Sequence, residues 1–280
     1  MPLNKQKIVV FDLDETLGYF VELGIFWDSL HNYAKSINID IKTIFTQDYF
    51  NKMLDVFPEF IRPNIMSILH YVKVKKQTKQ CHGVMIYTNN QGPKEWANFI
   101  RNYFDNKLKY NLFNHIISAF KVNGKIVEFC RRSHDKTFKD FMRCTKLPEN
   151  VEVCYLDDVY FPEMNTDNVY YIKINPYTHN LNFDLMIRRF INHDISKKLI
   201  FGEHSEKDFS DFMKNNMNDY EFAYMEKSKE EYEIDKIITK KTMEHLQSFF
   251  NKNKRTNSPQ SGHKKTYKNR SYRGKTRKNR

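Results

Sequence analysis

The sequence has no apolar run long enough to cross a bilayer, and its start lacks the apolar core of a secretory signal peptide. Hydrophobic residues make up 40% of the 280 positions, and the mean hydropathy is -0.72. We therefore expect a soluble monomer without membrane contact, built as one domain of about 200 residues with extensions.

Cysteine is scarce, and no two cysteines stand in a C-x-x-C pair. We therefore interpret Cys81, Cys130, Cys144 and Cys154 as reduced thiols, neither zinc ligands nor disulfides. This interpretation predicts a reducing compartment, cytoplasmic or nuclear. The abundance of Lys, Asn, Ile, Phe and Tyr suggests an AT-rich genome.

Acidic residues are absent from residues 251–280, which contain 12 Lys and Arg. Residues 1–250 hold the other 34 basic residues and all 34 acidic ones, so the body is neutral. The end segment is rich in Asn, Ser, Thr and Gly, which predicts a disordered basic tail. Solubility, nuclear import and nucleic-acid contact remain open as its roles.

Two carboxylates follow the first apolar run. Residues 8–11 predict a short buried strand, after which come Asp12, Asp14 and Thr16. Acids at the end of a buried strand are costly unless they bind a cation or do chemistry. Ligands bind at the carboxyl ends of strands in open α/β sheets. In this position one carboxylate can attack phosphorus while its neighbour transfers a proton, and both together can hold Mg²⁺. An acidic turn after a strand, without chemistry, is the alternative.

Two further strand ends carry polar residues. Residues 83–87 predict a strand that ends at Thr88 and Asn89, followed by a helix from Pro93–Lys94, an arrangement that suits an anion cradle. Residues 151–156 alternate and run into Asp157 and Asp158. A second acid pair would complete an oxygen-ligand site for Mg²⁺.

These segments resemble the haloacid-dehalogenase (HAD) superfamily of aspartate-nucleophile phosphatases. The run Asp-Leu-Asp-Glu-Thr-Leu at residues 12–17 is most similar to the FCP-homology branch (NLI-interacting-factor-like), which acts on the RNA polymerase II tail and related phosphoproteins. Arg62-Pro63 matches an Arg-Pro of that branch. The resemblance covers about residues 5–200, and Asp158 departs from it because the branch usually has Asn there. Proteins that resemble these phosphatases occur in large DNA viruses, so a virus-encoded protein is one source that the resemblance implies.

The resemblance implies a role for each site residue. Asp12 would be the nucleophile and Asp14 the general acid and base. Thr88 and the backbone of Asn89 would bind the phosphoryl group, and Thr16 would contact substrate. Asp12, Asp14 and Asp157 would hold Mg²⁺, the second through its backbone carbonyl. Asp158 would reach the metal or orient a lysine.

The family's lysine has two candidates, Lys136 and Lys139. Lys136 lies at the predicted first turn of a helix, and we prefer it as the catalytic residue. Lys139-Asp140-Phe141 looks more like the Lys-Asp-Leu of the FCP branch, so Lys139 remains an alternative that would contact substrate.

The predicted fold is α/β, a three-layer Rossmann-like HAD fold with a parallel central sheet and a small or absent cap. Residues 1–200 would form the phosphatase domain, with a hairpin or flap and two short helices within about 19–60. Residues 201–250 would be a helical extension anchored by Phe209, Phe212, Ile237 and Leu246.

Three functions follow as hypotheses. The first is a phosphoprotein Ser/Thr phosphatase, because little chain is available to cover the site and a large phosphorylated partner would fit. The second is a nucleic-acid 3′-phosphatase, because Thr-Asn-Asn-Gln-Gly at residues 88–92 is similar to the Thr-Asn-Gln-x-Gly of that branch; Glu15 weighs against it. The third is a non-catalytic binding module with the same fold.

Overall fold

The computed structural model describes residues 5–92, 94–202, 204–220 and 224–251, without the side chain of Lys94. The strands in these ranges are β1 Lys7–Phe11, β2 Gly83–Tyr87, β3 His115–Ile117, β4 Lys121–Val122, β5 Lys125–Ile126, β6 Glu152–Asp157 and β7 Val169–Lys173. The α-helices are α1 Val21–Ser36, α2 Ile41–Ile44, α3 Gln47–Val56, α4 Ile65–Gln77, α5 Lys94–Leu108, α6 Phe138–Thr145, α7 Phe183–Ile191, α8 Glu206–Asn218 and α9 Lys229–Asn251. Short 3-10 helices lie at Pro58–Phe60, Pro162–Met164 and Asp194–Lys198.

Five strands form one sheet in the order β3-β2-β1-β6-β7, and all are parallel. The chain runs outward from β1 to β2 and β3, then returns to the other side of β1 with β6. The strand order therefore reverses next to β1, and the carboxyl ends of β1 and β6 flank that point. Open α/β sheets bind ligands at such a switch point. The predicted parallel α/β sheet is confirmed.

Helices cover both faces of the sheet, which gives three layers. Because successive strand residues point to opposite faces, Val9 and Phe11 pack into the larger core with α1, α3, α4, α5 and α7. Ile8 and Val10 face a smaller core, where α6 contributes Phe141. One side of the sheet is thus thickly covered, while the other is closed mainly by α6 and its neighbouring loops.

The predicted hairpin or flap after residue 18 is wrong, because Val21–Ser36 forms a helix. Leu23, Phe26, Leu30 and Ala34 recur at helical spacing and are fully buried. That longer period outweighs the short alternation at residues 19–26. The two short helices predicted within about 19–60 correspond to the later part of α1 and to α3.

The extension at 201–250 packs on the core as two helices. Phe209 of α8 lies 4.9 Å from Tyr33 of α1 between ring centroids, and Phe249 of α9 lies 5.9 Å from Tyr170 of β7. The predicted anchors Phe209 and Leu246 are buried and Phe212 is half-buried, but Ile237 is 58% exposed and anchors nothing. The predicted tail, apart from Asn251, lies outside the described residues. No described helix combines the length and apolarity needed to span a bilayer.

The expectation of four reduced thiols is wrong for two of them. Cys130 and Cys144 form a disulfide with their Cα atoms 5.0 Å apart. The loop before α6 folds back along that helix and brings the two residues together, a contact between distant positions that their spacing does not reveal. Cys81 and Cys154 are free and buried, as expected. The disulfide-bonded pair, Cys130 and Cys144, therefore gives no support to the predicted reducing compartment.

Candidate active site

Asp12 and Asp14 stand at the carboxyl end of β1. The Asp12 N–H donates to the Leu156 carbonyl at 2.8 Å, which ties the end of β1 to β6. Leu13, between the two aspartates, is fully buried in the larger core. Asp12 is 7% exposed and Asp14 is half-buried.

Asp157 and Asp158 end β6 beside them. Carboxylate oxygens of Asp12, Asp157 and Asp158 all lie within 4.8 Å of one another. Asp157 is fully buried and accepts hydrogen bonds from the Tyr155 hydroxyl and from the Val159 N–H, the latter at 2.8 Å. Register between neighbouring parallel strands thus brings together acids that are some 145 residues apart in the sequence.

Lys136 bridges the two strand ends. Its Nζ lies 2.5 Å from Asp12 Oδ1 and 2.7 Å from Asp157 Oδ2, and the side chain is 2% exposed. Its predicted place in the first turn of a helix is wrong, because Thr137 caps α6 by accepting from the Asp140 N–H. Lys139 occupies that first turn, and within the described part of the chain no ion pair joins it to the acid cluster.

Thr88 and Asn89 follow β2, and a third residue of that loop joins the site. Thr88 is 2% exposed, and its Oγ1 accepts from the Asn90 N–H at 3.0 Å. Asn90 Nδ2 donates to Asp14 Oδ2 at 2.9 Å. Asn90 received no role in the sequence analysis, although it stands in the same polar run. Thr16, predicted to bind substrate, donates to Asp158 Oδ1 at 3.3 Å.

Arg131 joins the loop after β2 to the loop that carries Lys136. Its guanidinium donates to the Thr88 carbonyl at 3.0 Å, to Asn89 Oδ1 at 2.7 Å and to the His134 carbonyl at 2.9 Å. Arg131 is 2% exposed. Arg131 therefore holds the loop after β2 against the loop that carries Lys136. Only the tertiary structure reveals this role.

The cluster holds more negative than positive charge. Burial raises the pKa of Asp12 well above its usual range; Lys136 opposes this rise and Asp157 adds to it. Burial also raises the pKa of Asp14, against the hydrogen bond from Asn90. Burial alone would lower the pKa of Lys136, but Asp12 and Asp157 reverse that effect and raise it.

The chemistry of these donors suits a hard divalent cation. Three carboxylates supply only oxygen ligands, which Mg²⁺ prefers. One buried ammonium leaves part of their charge uncompensated, and a bound cation would lower the cost of ionising Asp12. The Asp14 side chain is directed to Asn90 instead of joining this group.

A groove of about 490 Å³ opens beside Asn90, the residue that contacts Asp14. Two exposed carboxylates, Asp28 and Glu95, stand on its rim. Burial lowers the pKa of His31 to about 4, so this imidazole in the groove is uncharged at neutral pH. The remaining wall is mostly apolar and includes Phe20, Val21, Trp27, Trp96 and Phe99.

Comparisons with known proteins leave the family undetermined. No protein-family model matches the chain, and searches of curated proteins and of solved structures found no match either.

Proposed function

We propose that this protein is a magnesium-dependent phosphomonoester hydrolase of the HAD type, with Asp12 as its nucleophile. The observation that carries the proposal is the meeting of Asp12, Asp157 and Asp158 at the switch point of a parallel sheet, with Lys136 paired to the first two. A buried nucleophilic carboxylate, a neighbouring proton donor, a fixed ammonium and oxygen ligands for a divalent cation are parts that phosphoryl transfer uses.

Each side chain has a role in the proposed reaction. Asp12 attacks phosphorus and forms an aspartyl-phosphate as the ester oxygen leaves. Asp14 donates a proton to that oxygen, and its raised pKa suits a carboxyl that must carry one. Asp14 then accepts a proton from the water that attacks the phosphorus of the intermediate and frees Asp12.

Positive groups stabilise the phosphoryl charge. Lys136 supplies a fixed ammonium beside Asp12, and the Thr88 hydroxyl, whose oxygen accepts from the Asn90 N–H, can donate its hydrogen to a phosphoryl oxygen. Mg²⁺ held by Asp12, Asp157 and Asp158 would neutralise the phosphoryl oxygens when bound. Arg131 and Asn90 keep the lysine loop and Asp14 in place.

A phosphoprotein is the substrate class we favour. The groove beside Asn90 joins apolar walls to the carboxylates of Asp28 and Glu95. Such a surface suits a peptide with apolar and basic side chains and disfavours a polyanion through charge repulsion. The nucleic-acid 3′-phosphatase alternative rests on the polar run at residues 88–92, in which Asn90 contacts Asp14.

Asp12→Asn tests the proposal with a generic phosphate monoester in the presence of Mg²⁺. We expect the variant to lose turnover, because an amide is a poor nucleophile. Asp194→Asn is the matched control, since the Asp194 side chain is 86% exposed on the surface, and it should keep full activity. Undiminished turnover by Asp12→Asn refutes the assignment, and no turnover by the unaltered protein favours a non-catalytic binding module.

A phosphoserine peptide and a 3′-phosphorylated oligonucleotide, compared at equal concentration, separate the two substrate classes. We expect the peptide to give the higher kcat/KM. Preference for the oligonucleotide would reverse the choice of substrate while leaving the reaction class intact.

A further inference from the structure

One buried guanidinium holds the turn that carries Asp14. Arg62 Nε donates to the Thr16 carbonyl at 2.7 Å, and Nη2 donates to the Glu15 carbonyl at 2.5 Å and to the Asn175 carbonyl at 2.7 Å. Arg62 is 2% exposed. Because the guanidinium presents its donors in a rigid fork, these bonds fix the direction of two carbonyls directly after Asp14.

This turn needs support because its backbone conformation is unfavourable. Glu15 has φ 57°, in the left-handed region that non-glycine residues rarely adopt. The Glu15 N–H donates to the Gly18 carbonyl at 2.7 Å. Gly18 has no room for a side chain, since a Cβ would lie 2.4 Å from the Phe60 carbonyl oxygen. Such a conformation persists only where surrounding contacts enforce it.

Tyr177, in the loop between β7 and α7, links the same turn to the residues before α9. The Tyr177 N–H donates to the Glu15 carbonyl at 2.8 Å, and its ring centroid lies 5.5 Å from Arg62 Cζ. Lys227 Nζ lies 4.4 Å from that same ring centroid. Lys227 also forms an ion pair with Asp235 of α9, and these two side chains are 11% and 7% exposed.

The other end of α9 is attached to the strand that leads to Asp12. Lys7 Nζ donates to the Phe249 carbonyl at 2.7 Å and lies 4.9 Å from the centroid of the Phe249 ring. Lys7 is the first residue of β1, and Asp12 follows the last. The helix therefore contacts the beginning of β1 directly. It is linked to the turn after the end of β1 through Lys227 and Tyr177.

We propose that α9 and the residues just before it brace the catalytic turn, defined as residues 12–18, with Arg62, Tyr177 and Lys227 as positioning residues. The catalytic meaning of this brace rests on the proposed function. Without Lys227, the Tyr177 ring and the Arg62 guanidinium that contact the turn lose a buried support, so Asp14 is held less firmly. The proton-transfer step then slows, whereas substrate binding does not change.

Hydrogen exchange on the full chain measures the brace directly. In Lys227→Met, the amides of Glu15, Leu17 and Tyr177 should exchange roughly tenfold faster, while those of β2 keep their protection. Lys241→Met is the matched control, because Lys241 pairs with Glu244 on the exposed side of α9, and it should exchange like the unaltered protein. The kcat of Lys227→Met should fall by roughly tenfold at unchanged KM.

Unchanged exchange of the turn amides in Lys227→Met overturns the brace. Equal acceleration in β2 also overturns it, because it reveals a general loss of stability. If Lys227→Met does not fold, Asp235→Asn removes the same ion pair with little change of shape, and the same outcomes apply to it. A lack of phosphatase activity in the unaltered protein refutes the proposed function alone, since the exchange result still decides on the brace.

Discussion

Replacement of Lys136 by methionine is the perturbation whose consequences the structure defines best. Methionine keeps most of the length and apolar surface of the lysine side chain but removes its charge. Lys136 is 2% exposed and pairs with both Asp12 and Asp157. The variant therefore leaves two buried carboxylates facing each other without their cation.

Removal of one partner from a buried ion pair costs about 3–5 kcal/mol. We expect a loss of this size in the free energy of unfolding of Lys136→Met at neutral pH without divalent cations. Added Mg²⁺ should restore part of the loss, because a bound cation compensates the same carboxylates. Activity should fall by about 10²–10³ in kcat, which is typical when a group that stabilises developing charge is removed.

Urea unfolding with and without Mg²⁺, followed by steady-state kinetics, measures both effects. Lys139→Met is the matched control, because Lys139 stands three residues away and outside the cluster. It should change stability by no more than about 0.5 kcal/mol and leave kcat near that of the unaltered protein. A stable, active Lys136→Met, or a larger loss of activity in Lys139→Met, would refute the reasoning.

Three further predictions concern other parts of the molecule. Burial raises the pKa of Glu22 from 4.5 to about 7. Its contribution to the free energy of unfolding is therefore greatest below pH 4.5 and falls by up to about 3 kcal/mol as the pH rises to 7. Glu22→Gln should flatten this part of the pH dependence of thermal unfolding, and an unchanged dependence contradicts the prediction. The Cys130–Cys144 disulfide spans a separation of 14 residues, so Cys144→Ser should lower the free energy of unfolding by about 3 kcal/mol. A dithiol reductant should lower the free energy of unfolding of the unaltered protein by the same amount, and no change on reduction would count against the bond. Gly24 lines the groove, and a Cβ added there would have Trp96 as its nearest contact, at 3.7 Å. Gly24→Leu should therefore raise KM for a phosphopeptide but not for a small aryl phosphate. If the variant and the unaltered protein have the same KM for the peptide, the groove does not bind it.

The central sheet could be predicted because its signals are local. Each of β1, β2 and β6 is a short apolar run that stops at polar residues, and these stops mark one edge of a parallel sheet. The proximity of Asp12 and Asp157 could be predicted for the same reason, because each follows or ends one of these strands. The FCP and HAD relationship itself remains a proposal that rests on those motifs.

Contacts between distant residues account for what the sequence analysis missed. Arg131 and the Cys130–Cys144 bond owe their places to the path of the loop before α6, and Asn90 owes its contact with Asp14 to the loop after β2; spacing encodes neither. At Lys136, the prediction placed the start of the helix too early, because the capping hydroxyl of Thr137 determines where α6 begins. At residues 19–26 a short alternation concealed the longer helical period of α1.

Mass spectrometry of the acid-quenched protein during turnover tests the central claim most directly. If Asp12 is the nucleophile, a phosphoryl group should appear on the peptide that contains Asp12 and be absent from Asp12→Asn. Turnover of phosphate esters with no phosphoryl group on Asp12, or with one on another residue, would contradict the account.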